Sequence, residues 1–122
     1  MEDLVMSEDL VSVIITCFNC DEMLDSCIES VINQYHKNLE IILINNGSDD
    51  NTAALCNKWY QNNQRIQVFH INHESDAKAK IFGLNHMKGD YYCFVNPGND
   101  ISKDYINSWL EELHFDTKTK AM

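Results

Sequence analysis

Apolar and polar positions along this chain follow two alternating periods. Val11 to Phe18 (VSVIITCF) is a short apolar run rich in β-branched residues. That is the pattern of a strand covered on both faces. Leu24, Cys27, Ile28, Val31 and Ile32 then recur at helical spacing on one face. Asn19 with Glu22 three residues later predicts a capping box for this helix. Leu39 to Ile44 (LEIILI) predicts a second buried strand. Asn45 to Asn51 (NNGSDDN) is a turn cluster rich in helix N-caps. The second helix runs to about Gln61, with Leu55/Trp59 and Cys56/Tyr60 as i,i+4 pairs.

Ile66 to Ile71 predicts a third strand. Ala77 to Met87 predicts a third helix, with Ala77, Ile81 and Leu84 turned inward and Gly89 stopping it. Tyr91 to Val95 predicts a fourth strand, and Asn96-Pro97-Gly98-Asn99 a loop. Ser102 is the expected cap of a last helix that buries Ile106, Trp109, Leu110 and Leu113. Residues 1–10 are an acidic lead-in expected to be disordered, and 115–122 an end expected to fray. Residues 11–114 remain as one domain.

Repeated strand-helix units imply an α/β fold with an open, mainly parallel sheet, right-handed crossovers and helices on both faces. The expected strand order is 3-2-1-4. Ligands in such sheets sit outside the carboxyl ends of the strands, where the order reverses. Three segments should therefore line one crevice: Cys17-Phe18-Asn19, Asn45-Asn46 and Asn96 to Asn99.

Charge narrows the partners. Nineteen acidic residues against nine basic ones give a formal net charge of −10. Such a surface repels duplex nucleic acid and anionic lipid. It also opposes a nucleotide diphosphate unless a metal, a basic side chain or backbone N–H groups compensate locally. The acidic start lacks the basic and apolar stretches of a secretory signal, so the expected location is the cytoplasm. The five cysteines are odd in number and not spaced as a disulfide scaffold. Free thiols are expected, with Cys56 and Cys93 buried.

The order and spacing of several segments resemble family 2 glycosyltransferases of the GT-A fold. These segments are Val11 to Asn19, Cys27 to Gln34 and Asn38 to Ser48, followed by Gly83-Leu84, Lys88-Gly89-Asp90-Tyr91 and Phe94-Val95. The resemblance spans about Val11 to Leu113. It implies the half of such an enzyme that binds a nucleotide diphosphate sugar. It also implies donor contacts from Thr16, Phe18, Asn19, Asn45, Asn46, Lys80, Asn96 and Asn99. The family's pattern has an acidic pair after strand two and an Asp-x-Asp motif after strand four that holds a divalent cation. Carboxylates suit hard Mn2+ or Mg2+ and help neutralise a departing diphosphate. Here the pair is Asn45-Asn46 and the loop reads Asn96-Pro97-Gly98-Asn99, with Asp100 the nearest carboxylate. Asn96 and Asp100 are the weak metal candidates, and no resident cofactor is expected. The family's acceptor-binding half, which supplies the catalytic base, has no counterpart in the sequence. Weak donor binding without sugar transfer is therefore expected from this chain, with an acceptor-binding or membrane-associated partner domain as its complement. No catalytic residue is assigned.

Two other readings bear on the same residues. One is a binding module that keeps the fold without catalysis. The other is a thiol oxidoreductase, because Cys17-Phe18-Asn19-Cys20 lies between a strand and a helix N-terminus, where a first thiol is acidified. His70 and His73 are too far along the chain, and on alternating faces, to complete a zinc site with that pair. A phosphoacceptor receiver domain needs an Asp where Asn72 stands.

Overall fold

A computed structural model describes residues 8–121, with side chains through His114. The expected disordered lead-in falls mainly on residues 1–7, outside the described residues, and the side chains of 115–122 lie outside them as well. The elements are β1 (Val11–Cys17), α1 (Asp21–Ile32), β2 (Leu39–Asn46), α2 (Thr52–Asn62), β3 (Ile66–Ile71), α3 (Asp76–His86), β4 (Tyr91–Phe94) and α4 (Tyr105–Ala121). The strands form one sheet in the order β3-β2-β1-β4. Every pair is parallel.

β1 is the axis of the fold. It pairs with β2 from Val11↔Leu39 to Cys17↔Asn45 and with β4 from Val11↔Tyr91 to Ile14↔Phe94. Flanked on both sides, it satisfies its backbone in the sheet and is free to be apolar on both faces. Its alternate side chains serve two cores. Val11, Val13, Ile15 and Cys17 join α1, α2 and α4 through Leu24, Cys27, Ile28, Val31, Cys56, Ile106 and Leu110. Ile14 joins Ile42, Ile44 and Ala79 under α3. Each fully buried Ile or Leu contributes about 1.5–3 kcal/mol. The two cores together fix the register that brings the three turns to one edge.

Four local expectations are corrected. Asn19 and Glu22 form no capping box. Cys20 is the N-cap of α1 and makes no side-chain cap, while Asn19 takes the left-handed conformation with φ 48°. Asn tolerates that region because its short polar side chain bonds locally. Here its Oδ1 accepts from the Asp49 N–H at 2.7 Å. Second, α3 buries Ala79 and Gly83, while Ala77 is exposed and Ile81 is 54% exposed. Small residues let the helix lie close to β1: a Cβ on Gly83 would stand 2.7 Å from Ile14 Cγ2. Third, Gly89 does not stop α3. That helix ends at His86, with Met87 capping it in extended backbone, and Gly89 is needed because a Cβ there would stand 2.8 Å from the Ser12 backbone nitrogen. Fourth, the Ser102 hydroxyl does not cap α4. It donates to Asp104 at 2.9 Å, and the Ser102 carbonyl receives the Tyr105 N–H.

At the amino edge of the sheet a buried carboxylate ties β1, β2 and the α3–β4 connection together. Glu40 accepts from the Ser12 hydroxyl at 2.5 Å and from the Lys88 N–H, and Ser12 Oγ accepts from the Gly89 N–H at 2.9 Å. Removing Glu40 orphans a buried hydroxyl and an amide. Glu40→Ala is expected to cost about 2 kcal/mol in urea unfolding, whereas exposed Glu111→Ala stays within about 0.5 kcal/mol. Equal midpoints for the two variants would contradict this role.

Candidate functional site

The carboxyl ends of β1, β2 and β4 meet on one edge, and the order reverses between β1 and β4. The turns after β1 and β2 are laced together. The Asn19 N–H donates to Ser48 Oγ at 3.0 Å and the Cys20 N–H to Thr52 Oγ1 at 3.0 Å. Gly47 has φ 70°, and a Cβ there would stand 2.7 Å from the His73 nitrogen. Glycine is therefore required at that point of the Asn-Asn-Gly-Ser turn.

The sheet's pleat then divides the sequence-predicted residues between its two faces. Thr16 and Lys80 come together on the α3 face, through a residue that sequence reasoning missed. Asp76 Oδ1 accepts the Thr16 hydroxyl at 2.7 Å, and Asp76 Oδ2 pairs with Lys80 Nζ at 3.0 Å. Lys80 also lies 5.2 Å from the centre of the Phe94 ring. The Thr16 hydroxyl bond, then Lys80, holds the Asp76 carboxyl below its ordinary range. The signal for Asp76 was present in the sequence: Ser75 as an N-cap, then Asp and Lys at i,i+4.

Asn46, on the same face, is engaged within the protein. Its Nδ2 donates to the Glu74 carbonyl at 2.9 Å and its Oδ1 accepts the Glu74 N–H at 2.8 Å. Asn46 is 4% exposed, and with both ends of its amide paired it works as a brace for the β3–α3 connection. Asn45 turns toward α2. Its Nδ2 meets His70 Nδ1 at 3.0 Å, and His70 Nε2 meets Asn57 Oδ1 at 2.9 Å. One assignment satisfies this chain: Asn45 donates to Nδ1, and Nε2–H donates to Asn57. Phe18 is 48% exposed and leans on His73 with ring centres 4.4 Å apart.

The loop after β4 folds back on α1. The Asn96 carbonyl accepts from Cys27 Sγ at 3.5 Å and from the Asn99 N–H at 2.9 Å. Asp100, the expected fallback carboxylate, accepts the Ser26 hydroxyl. Neutral Asn96 and Asn99, a side-chain-free Gly98 and an Asp100 turned to α1 do not fit a hard divalent cation. Among the described residues no group of three or more His, Cys, Asp or Glu side chains is placed to hold a metal ion.

The glycosyl transferase family 2 model matches residues 12–119. The chain belongs to glycosyl transferase family 2. Glycosyltransferase GlyA of Streptococcus pneumoniae serotype 4 is 29% identical over 109 residues, which cover 89% of this chain and 16% of that protein. GlyG of the same strain is 30% identical over 109 residues, covering 88% and 36% respectively. This family 2 chain thus spans about a sixth and about a third of those relatives' lengths. Among solved structures, S. aureus TarS 1-349 in complex with UDP-GlcNAc matches with a TM-score of 0.75 at 21% identity, over 83% of this chain and 30% of that one. Mannosyltransferase PcManGT from Pyrobaculum calidifontis, in complex with GDP-Man and Mn2+, matches with a TM-score of 0.70 at 17% identity, over 79% and 30%. At such identities the likeness establishes the GT-A fold.

All five cysteines are free. Cys56 is fully buried as expected, whereas Cys93, also expected to be buried, is only half-buried; Cys17 is fully buried too. The thiol arrangement opposes an oxidoreductase. The Cys17 thiol, which would attack first, is raised well above its ordinary value by hydrogen bonding to Cys20 and Cys56, while Cys20 is the one lowered. A thioredoxin-like site needs the reverse.

Two outcomes test this description. Asn46→Asp places a carboxylate oxygen against the Glu74 carbonyl and is expected to cost about 1–2 kcal/mol in urea unfolding. Asn45→Asp is expected to be neutral, because His70 can present Nδ1–H to the new oxygen while exposed Asn57 turns its amide to donate to Nε2; an Asn46→Asp variant as stable as the parent would contradict the brace. Separately, burial pushes the fully buried Cys27 thiol up to about 12. Since the unfolded thiol ionises first, stability is complete below the ordinary thiol value and falls as pH rises toward 12. The loss reaches on the order of 1 kcal/mol by pH 10, and Cys27→Ala should lessen it in unfolding curves at pH 8 and 10. An unchanged alkaline loss in that variant would contradict the assignment.

Proposed function

We propose that this chain is the nucleotide-sugar-binding part of a glycosyltransferase, with the donor's diphosphate held at the β1/β4 crevice. The observation that carries the reading is the convergence of Thr16, Lys80 and Phe94 at the point where the strand order reverses. Open α/β sheets place their ligands there. The names of the structural relatives support a nucleotide sugar as the ligand class: TarS is described with UDP-GlcNAc and PcManGT with GDP-Man. Asn45, whose Oδ1 takes the Ser48 N–H only at 3.4 Å, is proposed to offer that oxygen to the base as well, and Phe18 an apolar surface beside it. Asn19 shapes the turn beneath, while Asn96 and Asn99 bound the crevice on the β4 side.

PcManGT is described with Mn2+, but the donor set here does not suit that ion. The binding proposed for this chain is therefore metal-independent and weak. Lys80 supplies one flexible cation worth about 1 kcal/mol in a solvated site, against a chain of net charge −10. The neutral loop after β4 is also the observation that favours the second reading, a binding module that has kept the fold without catalysis. The five free thiols support a reducing compartment, the cytoplasm. Among the described residues no helix is long and apolar enough to cross a membrane.

Titration with uridine diphosphate, followed by saturation-transfer NMR with and without Mn2+, tests this reading. The expected dissociation constant is no tighter than about millimolar, and Mn2+ should leave it unchanged. Micromolar, Mn2+-dependent binding would show that Asn96 to Asp100 forms a metal site after all.

A further inference from the structure

We propose that Asp76 is an internal competitor for the anionic ligand, a built-in carboxylate occupying the two groups that would otherwise receive a phosphate. This rests on the donor-binding reading above and adds a residue that sets how tightly the crevice holds an anion. Thr16 and Lys80 are the hydroxyl and the ammonium that approach the β1/β4 switch point from β1 and α3. Neither is idle. One Asp76 oxygen takes the Thr16 hydroxyl at 2.7 Å and the other takes Lys80 at 3.0 Å. A phosphate presents the same chemistry: two anionic oxygens accepting from a hydroxyl and an ammonium. A carboxylate already in place must therefore be displaced, or must share its partners, before a diphosphate can bind them.

The surroundings make this competition readable. Asp76 is the exposed partner, with 64% of its side chain accessible, and Lys80 is the more enclosed one at 32%. The lysine is further steered by the Phe94 ring, 5.2 Å from its nitrogen, which draws it toward the crevice independently of Asp76. Loss of the carboxylate thus leaves Lys80 aimed at the site. Asp76 is ionised at neutral pH, since its partners hold its carboxyl low, and its charge also repels an incoming anion directly.

The test titrates uridine diphosphate and inorganic pyrophosphate onto the full chain and onto Asp76→Asn, Lys80→Ala, the double variant, and Glu74→Gln as a control. Asn keeps an oxygen for the Thr16 hydroxyl, so the fold is retained, and circular dichroism verifies this. Glu74 is a neighbouring carboxylate that pairs only loosely with Lys78, at 3.7 Å. Asp76→Asn is expected to tighten both ligands about fivefold. Lys80→Ala should weaken both, Asp76→Asn should give little gain in the Lys80→Ala background, and Glu74→Gln should change little. Equal or weaker binding by Asp76→Asn would overturn the proposal, as would an equal gain from Glu74→Gln, which is what bulk charge alone produces. Tighter pyrophosphate binding by Asp76→Asn with no preference for uridine diphosphate would uphold the competitor and defeat the nucleotide reading. Binding insensitive to Lys80→Ala would defeat both.

Discussion

Everything at the crevice depends on β1 being paired in parallel on both sides. A strand with partners left and right has its backbone satisfied, and its side chains can be apolar on both faces. Val11 to Ile15 are fully buried. Because β2 extends the order one way and β4 returns to the other side, the reversal falls at the end of β1. The same register puts Cys17 beside Asn45 and Ile14 beside Phe94. A slip of one residue would exchange the two cores and carry Thr16 away from Asp76. The buried Glu40 bridge at the opposite edge pins that register from below.

The chemistry of the edge is mostly turned inward. Ser48, Asn19, Asp50 and Thr52 join the two turns, Asp50 also takes the Thr52 N–H of its own turn, and Asn46 spends both ends of its amide on Glu74. What is left for a ligand is narrow: an Asn45 oxygen held only by the Ser48 N–H at 3.4 Å, an exposed aromatic ring and a lysine already paired with Asp76. This distribution fits a site that selects by shape and by a few polar contacts, within an acidic chain that contributes little attraction of its own.

The strands and their order were legible in the sequence because apolar runs of five to eight residues, rich in β-branched or aromatic side chains, have few alternatives between turn signals. The family was legible because its turns recur in order. The inner face of α3 was not. Leu84 packs inward as expected, but Ile81 does not: close packing against Ile14 requires Ala79 and Gly83, and periodicity alone rewards size over smallness. The capping box after Asn19 failed because a left-handed Asn points its side chain across to Asp49 rather than along its own helix. Asn46 read as a ligand contact because spacing reveals position in a motif but not the through-space partner, here a backbone 28 residues away. Asp76 was missed for the same reason: Thr16 and Asp76 lie 60 residues apart, and only the crossover of α3 over β1 joins them.

The claim that most needs testing is the location of the ligand. Amide chemical-shift mapping by NMR with uridine diphosphate reads it directly. The account predicts that the largest shifts fall on Thr16, Phe18, Asn45, Lys80 and Asn96, at the carboxyl edge. Ser12, Glu40 and Gly89 at the amino edge should stay still. Shifts centred on the amino edge, or spread evenly over the surface, would contradict it.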